Sequence, residues 1–265
     1  MISTLAYVDS SAIVGQDVTI EPFAYVAADT VIGDGSYIAT GAVIREGARL
    51  GKNCKIHTGA VIAGVPQDLK FKGEYTTVEI GDNTMVRECA TINRGTASKG
   101  KTVVGSNCLI MAYAHVGHDC VVGNHCILAN QVSLAGEVEV DDWAILGGHA
   151  AVHQFTRIGK HAMISGGTLV TKDVPPYITA AFHPVGYAGM NSIGLRRRGF
   201  NDEQVSTLHE IMKVLFQDGN AYSKGVDIVE NTFAQSPERD EMLNFIRNSK
   251  RGLLKQFNPN RKSAE

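Results

Sequence analysis

Aliphatic residues recur at every sixth position through the first two-thirds of the chain. Twenty-five of them share this spacing, in three runs separated by two gaps: Val8, Val14, Ile20, Val26, Ile32, Ile38, Ile44, Leu50, Ile56, Ile62; Ile80, Val86, Ile92; Val104, Ile110, Val116, Val122, Leu128, Leu134, Val140, Leu146, Val152, Ile158, Ile164 and Val170. A period of six matches neither the 3.6-residue turn of a helix nor the alternation of a simple strand. It is typical of hexapeptide repeats, in which three short strands form each triangular coil of a parallel β-helix. The pattern predicts a mainly β fold with about nine coils over residues 8–170.

Small residues surround these aliphatic positions. Alanine, serine or cysteine often stands two residues earlier, where it leaves space for the inward-facing side chain of the adjoining coil. Glycine often stands one residue later: Gly15, Gly33, Gly51, Gly81, Gly105, Gly117, Gly123 and Gly159. Because glycine tolerates unusual backbone angles, we predict that these glycines form the tight corners of the coil.

Two insertions interrupt the repeats, at residues 64–77 and 94–101, and the spacing of six resumes in phase after each. They are therefore predicted to be loops that project from intact coils, and long loops on a rigid scaffold often carry function. Two consecutive prolines, Pro175 and Pro176, mark the end of the coil because proline cannot continue strand pairing. We predict that the β-helix domain covers residues 1–184.

A helical pattern replaces the hexads in the C-terminal segment, residues 185–265. Asn201 precedes Asp202 and Glu203, which is a helix start signal, and Ser236 precedes Pro237 in a second one. Apolar residues at helical spacing follow each signal. We predict a small domain of three helices over residues 192–258.

Composition limits the functions that fit. The formal net charge of −2 gives no general attraction to nucleic acid or to an anionic membrane. The N-terminus lacks the charged and apolar regions of a signal peptide, and no stretch of 18 apolar residues predicts a membrane span. We expect a cytoplasmic protein without stable membrane insertion. Four of the five cysteines, Cys54, Cys108, Cys120 and Cys126, occupy the small-residue position and are predicted to be buried thiols; Cys89 lies elsewhere.

Residues 18 apart should lie above one another on successive coils, about 4.8 Å apart. Three such columns begin two residues after an aliphatic position: His118, Gly136, Gln154 and Lys172; Ala112, Asn130, Gly148 and Gly166; Ser106, Asn124, Asp142 and Lys160. The first column places an imidazole, a glycine backbone and an amide in one line, which suits a base, an oxyanion donor and a substrate clamp. The second, made mostly of small residues, leaves room for a slender ligand, and the third has the composition of a solvated face.

The histidines allow three interpretations. His115, His118, His149 and His153 are clustered in the middle of the sequence. An imidazole among them can serve as a general base, ligate a metal shared between subunits, or form ordinary surface or interface hydrogen bonds. Asp119 directly after His118 favours a base with an orienting carboxylate, but neighbouring strand residues face opposite ways, so this pair requires a corner or a subunit interface.

A basic triplet, Arg196 to Arg198, lies between the two predicted domains. It is either a solvated face or a site for a nucleotide phosphate, which the guanidinium fork fits well.

Several segments together resemble the bacterial UDP-N-acetylglucosamine O-acyltransferases, the family that carries out the first step of lipid A biosynthesis. They are PQDLKFKGE at 66–74, NRGT at 93–96, AHVGHDCVVGN at 114–124, LAGEVEVDD at 134–142, AVHQF at 151–155, KDVPPY at 172–177 and GLRRRGF at 194–200. The resemblance runs nearly end to end. Two positions depart from the family pattern, since Asn93 and Glu137 stand where histidine is common.

The resemblance implies a left-handed β-helix and a homotrimer with three active sites between neighbouring chains. It implies transfer of a 3-hydroxyacyl group from acyl carrier protein to the 3-hydroxyl of UDP-N-acetylglucosamine, with no metal or other cofactor. The implied residues are His118 as general base, Asp119 as its orienting acid and Gly136 as backbone oxyanion donor; Gln67, Asp68, Lys70, His115 and His153 around the sugar; Gln154, Asn191, Arg197 and Arg198 around the nucleotide; and Gly166 at a position that selects acyl length.

Three other functions share the predicted β-helix. A sugar N-acyltransferase of the same pathway usually has an N-terminal uridine-binding domain, for which the hexads beginning at Val8 leave no room. A γ-class carbonic anhydrase would bind zinc through intersubunit histidines but gives the arginine triplet and the helical tail no role. A non-catalytic β-helical scaffold would leave the polar columns unexplained.

Overall fold

A computed structural model describes residues 1–256 of the chain. In this part the strands are, in chain order, β1 (Tyr7–Val8), β2 (Ile13–Val14), β3 (Thr19–Ile20), β4 (Tyr25–Val26), β5 (Val31–Ile32), β6 (Tyr37–Ile38), β7 (Val43–Ile44), β8 (Ala48–Leu50), β9 (Lys55–Ile56), β10 (Val61–Gly64), β11 (Thr77–Ile80), β12 (Met85–Val86), β13 (Thr91–Asn93), β14 (Lys101–Val104), β15 (Leu109–Ile110), β16 (His115–Val116), β17 (Val121–Val122), β18 (Ile127–Leu128), β19 (Ser133–Leu134), β20 (Glu139–Val140), β21 (Ile145–Leu146), β22 (Ala151–Val152), β23 (Arg157–Ile158), β24 (Met163–Ile164), β25 (Leu169–Val170), β26 (Ile178–Ala181) and β27 (Gly186–Met190).

Every third strand along the coil pairs in parallel, which gives three sheets. The first sheet runs from β1 to β25, the second from β2 to β23, and the third from β3 to β24, continued by β26 and an antiparallel β27. Uninterrupted coils pair residues 18 apart, as Tyr7 with Tyr25 and Val8 with Val26. The predicted parallel β-helix of hexapeptide repeats is confirmed.

The aliphatic positions form the core that the period predicted. Twenty-three of the twenty-five are buried, and only Val8 and Val14 are partly exposed. Both lie in the first coil, where no preceding coil covers them. The four cysteines at small-residue positions are buried and Cys89 is exposed, as predicted, and burial raises the pKa of the Cys120 thiol to about 12.

The predicted role of the glycines that follow the aliphatic positions is wrong. None of them has a positive φ; left-handed residues stand three positions after most of the aliphatic residues and include Asp119 (φ 59°) and Phe155 (φ 65°). The glycines are needed instead where successive coils approach closely. A β-carbon on Gly33 would lie 2.5 Å from the carbonyl carbon of Gly51 in the next coil, which no side chain tolerates.

The two insertions leave the strands aligned because each adds a whole number of hexads. Val61 pairs with Thr91, a separation two hexads longer than that of an uninterrupted coil. Thr91 pairs with His115, a separation one hexad longer. The insertions occupy residues 65–76 and 94–100, between a strand of the first sheet and the next strand of the second.

Four helices follow the β-helix within the described residues, one more than predicted: α1 (Ser192–Arg197), α2 (Asp202–Phe216), α3 (Tyr222–Thr232) and α4 (Pro237–Arg247). Both predicted start signals are confirmed, since Asn201 forms a capping box with Gln204 and Ser236 caps α4. The short helix α1, for which no start signal was predicted, contains two residues of the arginine triplet. Residues 257 and 258 of the predicted helical region lie outside the described part.

The chain returns to the β-helix after α4. Asp173 forms a bridge with Leu253, and Gly186 forms one with Lys255. The fully buried Asp173 carboxylate also accepts hydrogen bonds from Ser249 Oγ (2.7 Å) and from the Arg157 backbone (2.9 Å). The C-terminal segment is therefore fixed against the last coils. No helix in residues 1–256 is long and apolar enough to cross a membrane.

Candidate active site

The column of His118, Gly136 and Gln154 lies at the corner between the first and second sheets. Strands β16, β19 and β22 pair in register, which places the residues that follow them at equivalent points of successive coils. A β-carbon built on Gly136 would lie 2.4 Å from both Cε1 and Nε2 of His118. The imidazole therefore occupies the space above the Gly136 backbone that any other residue would fill.

Asp119 holds the other side of the imidazole. Its left-handed backbone turns the corner, so that two residues adjacent in sequence bring their side chains together, with His118 Nδ1 and Asp119 Oδ2 2.8 Å apart. The Asp119 side chain is fully buried, whereas that of His118 is 19% exposed. Because a carboxylate accepts at Nδ1, the neutral imidazole has its proton there and an unprotonated Nε2.

The second insertion encloses the Asp119 carboxylate. Oδ1 accepts hydrogen bonds from the backbone N–H groups of Thr96 (2.9 Å) and Lys99 (3.1 Å), and Oδ2 accepts from the Thr96 hydroxyl (2.6 Å). Burial acts to raise the pKa of Asp119, but the bonds from Thr96, His118 and Lys99 outweigh it and lower that pKa below its ordinary value. Asp119 is therefore ionised at neutral pH.

The backbone N–H of Gly136 donates to no protein group in the described chain. It lies beneath the imidazole that presents Nε2. A proton acceptor and an unused N–H donor thus occupy neighbouring points of one corner, which is the pair of groups that acyl transfer needs.

His115 and His153 both precede this corner in their coils, on the side of the first sheet. His115 is half-buried, and its Nδ1 is 2.7 Å from the Thr91 hydroxyl; burial, followed by the charge of His118, lowers the pKa of His115. His153 is exposed, and its Nδ1 lies 3.1 Å from both Nη2 of Arg251 in the C-terminal segment and the carbonyl oxygen of Gln154.

Three of the residues predicted around the sugar, Gln67, Asp68 and Lys70, lie in the first insertion. Gln67 and Lys70 are exposed, and Asp68 Oδ1 accepts from the Lys70 backbone at 2.9 Å. No hydrogen bond or ion pair between described residues joins these three to the His118 column. The loop is instead attached to the second insertion, where Glu74 accepts from the Ala97 N–H at 3.0 Å.

Asn191 and Arg198 lie at a different corner, between the second and third sheets. Asn191 caps α1, and its Nδ2 donates to the backbone carbonyl of His161 at 2.9 Å. The guanidinium of Arg198 is 3.1 Å from Nδ1 of His161, while Arg197 is exposed. Within a single chain, therefore, the residues at the ends of α1 that are predicted to bind the nucleotide lie at a different corner from His118.

Gly166 lies at the third corner, between the third and first sheets, on the column of small residues. It is exposed, and a β-carbon there would lie 3.1 Å from the carbonyl oxygen of Gly148.

The column of Ser106, Asn124, Asp142 and Lys160 differs from the solvated face that was predicted. Asn124 is exposed, but the other three side chains are half-buried. Asn124 and Asp142 also bond the backbone of the preceding coil, with Ser106 N donating to Asn124 at 2.9 Å. This column therefore helps to hold successive coils together.

Comparisons with known proteins agree with this architecture. A family model described as bacterial transferase hexapeptide (six repeats) matches residues 11–46 and 101–136, and one described as UDP N-acetylglucosamine O-acyltransferase, domain 2, matches residues 173–254. The acyl-[acyl-carrier-protein]–UDP-N-acetylglucosamine O-acyltransferase of Chlorobaculum parvum is 48% identical over 259 residues, which are 96% of this chain and 97% of that one. The chain belongs to this O-acyltransferase family.

Solved structures of O-acyltransferases superpose closely on the chain. The UDP-N-acetylglucosamine acyltransferase of Bacteroides fragilis is 47% identical, with a TM-score of 0.95 over 96% of this chain and all of that one. The enzyme of Francisella novicida is 40% identical, with a TM-score of 0.93 over 98% of this chain and 95% of that one. The resemblance found in the sequence is confirmed.

Three contacts of the candidate site were not predicted from the sequence: those of Thr96, Lys99 and Arg251. Thr96 and Lys99 reach Asp119 from an insertion whose path no hexad specifies. Arg251 comes from the far C-terminus, and a basic residue there gives no local signal of its destination.

A groove of about 670 Å³ lies next to the column and is lined by Glu137, Phe155 and the basic residues Lys99, Lys250 and Arg251, among others. Glu137 accepts a hydrogen bond from Ser98 Oγ at 3.1 Å. Glu137, one of the two residues that depart from the family pattern, is therefore hydrogen-bonded to the same insertion that encloses Asp119. Within residues 1–256, no three His, Cys, Asp or Glu side chains are grouped closely enough to hold a metal ion.

Proposed function

We propose that this chain transfers a 3-hydroxyacyl group from acyl carrier protein to the 3-hydroxyl of UDP-N-acetylglucosamine, the first step of lipid A biosynthesis. The observation that carries the proposal is the arrangement of His118 between a buried Asp119 and the backbone of Gly136. Relatives at up to 48% identity over nearly the whole chain carry the name of this reaction, which supports the choice of both substrates.

His118 acts as the general base. Its Nε2 accepts the proton of the sugar hydroxyl as the hydroxyl oxygen attacks the thioester carbonyl. Asp119 maintains the required tautomer and stabilises the imidazolium that forms. A positioned base of this kind contributes about 10²–10⁴-fold to the rate.

The Gly136 N–H stabilises the negative charge that develops on the carbonyl oxygen. A preorganised donor of this kind contributes about 10²–10³-fold. When the tetrahedral intermediate collapses, the C–S bond breaks and the thiolate takes the proton held by His118. The products are the O-acylated sugar nucleotide and the free thiol of the carrier protein, so each proton and electron pair is accounted for by protein side chains and substrates.

We propose that the active protein is a homotrimer with a site in each cleft between neighbouring chains. The supporting observation is that residues assigned to one active site lie at separate corners of a single chain: His118 at one, Arg198 at the second and Gly166 at the third. Three parallel prisms side by side would bring different corners of adjacent chains together.

In this arrangement each group of residues has a proposed role. Gln67, Asp68, Lys70, His115 and His153 contact the sugar, and Gln154, Asn191, Arg197 and Arg198 form the nucleotide end of the site. Arg197 is exposed and therefore accessible to a phosphate, whereas the guanidinium of Arg198 is hydrogen-bonded to His161. Gly166 leaves the wall open for the acyl chain.

The proposal is tested by incubating the purified chain with UDP-N-acetylglucosamine and a series of 3-hydroxyacyl carrier proteins of different lengths. Mass spectrometry should show the sugar nucleotide with one added acyl group, and light scattering should give three chains per particle. If the chain is a folded trimer but forms no product with any donor, the proposed acyltransferase activity is refuted. Bound zinc in that sample would favour a γ-carbonic-anhydrase-like enzyme, and its absence a β-helical scaffold.

A further inference from the structure

We propose that His161 is a positioning residue for the nucleotide end of the acceptor site, because it ties both Asn191 and Arg198 to the β-helix. The inference rests on the proposed function and deepens it. His161 is absent from the motifs that resemble the family, and among the described residues it is hydrogen-bonded to the predicted site through these two residues.

Aromatic rings fix the His161 imidazole in place. The side chain lies at the corner between the second and third sheets and is 5% exposed. The ring stacks between Trp143 (centroids 6.1 Å apart) and Tyr177 (5.7 Å), and the edge of Phe200 approaches it at 5.2 Å. With neighbours on both faces and one edge, the imidazole has little freedom to change rotamer.

Two hydrogen bonds connect His161 to the start and the end of α1. Its carbonyl oxygen accepts from Asn191 Nδ2 (2.9 Å), while Asn191 Oδ1 accepts from the Gly194 N–H and caps the helix. Its Nδ1 lies 3.1 Å from Nη1 of Arg198, which also lies over the Trp143 ring at 5.4 Å. One residue thus anchors the whole short helix.

The contact with Arg198 specifies the protonation of His161. A guanidinium only donates, so Nδ1 must accept, and the neutral ring has its proton on Nε2. Burial, followed by the positive charges of Arg198 and Lys160, lowers the pKa of His161 to about 4, against the opposing charge of Asp142. The phenol of Tyr177, the other titratable neighbour, is directed to Glu241. The acceptor is therefore present throughout the neutral pH range.

The anchoring of α1 affects the position of Arg197, its last residue. This exposed side chain belongs to the last turn of α1, so its position depends on how the helix is anchored. A guanidinium recognises a diphosphate through directed hydrogen bonds, and such recognition weakens when the group is displaced. Removing the His161 side-chain acceptor would leave Arg198 without this hydrogen bond and allow the end of α1 to shift, while the bond from Asn191 to the His161 carbonyl still holds its start.

The test compares His161→Phe with two matched variants, measuring the Kd of UDP by calorimetry and both KM and kcat for UDP-N-acetylglucosamine. Phenylalanine keeps the ring stack but removes the acceptor. His161→Asn keeps an acceptor near the Nδ1 position but removes the ring. His125→Phe alters the far end of the stack, where His125 lies 3.9 Å from Trp143 and has no hydrogen bond to Arg198 or Asn191 within the described chain.

We expect His161→Phe to raise both the Kd of UDP and the KM by about tenfold or more, as loss of a hydrogen bond to a charged group does. The kcat at saturating substrate should stay near wild type, His161→Asn should recover part of the affinity, and His125→Phe should bind UDP normally. Unchanged affinity in His161→Phe, an equal loss in His125→Phe, or a fall in kcat without a change in KM would overturn the positioning role. If the wild-type chain neither binds UDP nor acylates the sugar nucleotide, the proposed function itself fails, and this role with it.

Discussion

The imidazole of His118 lies directly against the backbone of Gly136 in the next coil, where a β-carbon would be 2.4 Å from its Nε2. This contact links the proposed base to the proposed oxyanion donor. It also explains why glycine is needed at a position whose φ is ordinary: the requirement is space for a neighbouring ring.

Gly136→Ala should therefore displace the imidazole without removing either catalytic group. We expect kcat to fall by at least about tenfold, because base catalysis depends on the position of Nε2. Gly225→Ala is the matched control, since a β-carbon there would meet Cδ2 of Leu215 at 3.3 Å within the helical segment and no catalytic side chain. Steady-state kinetics of both variants would decide, and a Gly136→Ala enzyme as fast as the control would argue against the arrangement.

Asp119→Asn should reduce kcat by about 10²–10⁴-fold, because a neutral amide neither stabilises the imidazolium nor maintains the tautomer. Asp142→Asn provides a comparison, since Asp142 bonds the Asn124 backbone at another corner and does not contact His118. Rates and UDP binding should be measured together. Loss of UDP binding alone in Asp119→Asn, with kcat intact, would contradict an orienting role.

The same carboxylate should make stability depend on pH. The pKa of Asp119 is lower in the folded chain than its ordinary value near 3.8, so folding favours the ionised form. Its contribution is complete above the unfolded value and is lost as the pH falls through the lower folded value. The difference in free energy of unfolding between wild type and Asp119→Asn should thus be constant from about pH 7 to 5 and narrow below about pH 4. Urea unfolding at equal protein concentration measures it, and a difference that widens in acid would contradict the assignment.

Gly166→Met should shorten the acyl chain that the enzyme accepts. Gly166 is exposed on the column of small residues, and a long side chain there would fill the proposed groove. The measurement is a competition between donors of several lengths, read by the mass of the product. The prediction fails if the variant keeps the wild-type length preference at a normal rate.

The fold was predictable because one period governs it. Hexads specify where side chains point inward, and both insertions preserve that period by adding whole hexads. The capping box at Asn201 is local in the same way, since all of its groups lie between Asn201 and Gln204. Local signals of this kind can be recognised in a single sequence.

Other features depend on contacts between distant segments. The regular spacing of the coils identified the column of His118 and Gly136, but it could not show that the second insertion supplies Thr96 to Asp119. It also could not show that an imidazole on the corner anchors α1 through Arg198. Each of these contacts joins segments that are far apart in the chain, and the paths between them are not set by the repeat alone.

In the proposed mechanism His118 acts as the base of acyl transfer. The most direct measurement compares the rates at which wild type and His118→Gln acylate UDP-N-acetylglucosamine, with the Kd of UDP and the oligomeric state determined for both. Base catalysis by His118 predicts a mono-acylated product from wild type and a rate at least about 10²-fold lower in the variant, with unchanged UDP binding and trimer formation. Equal rates in the two proteins would contradict it.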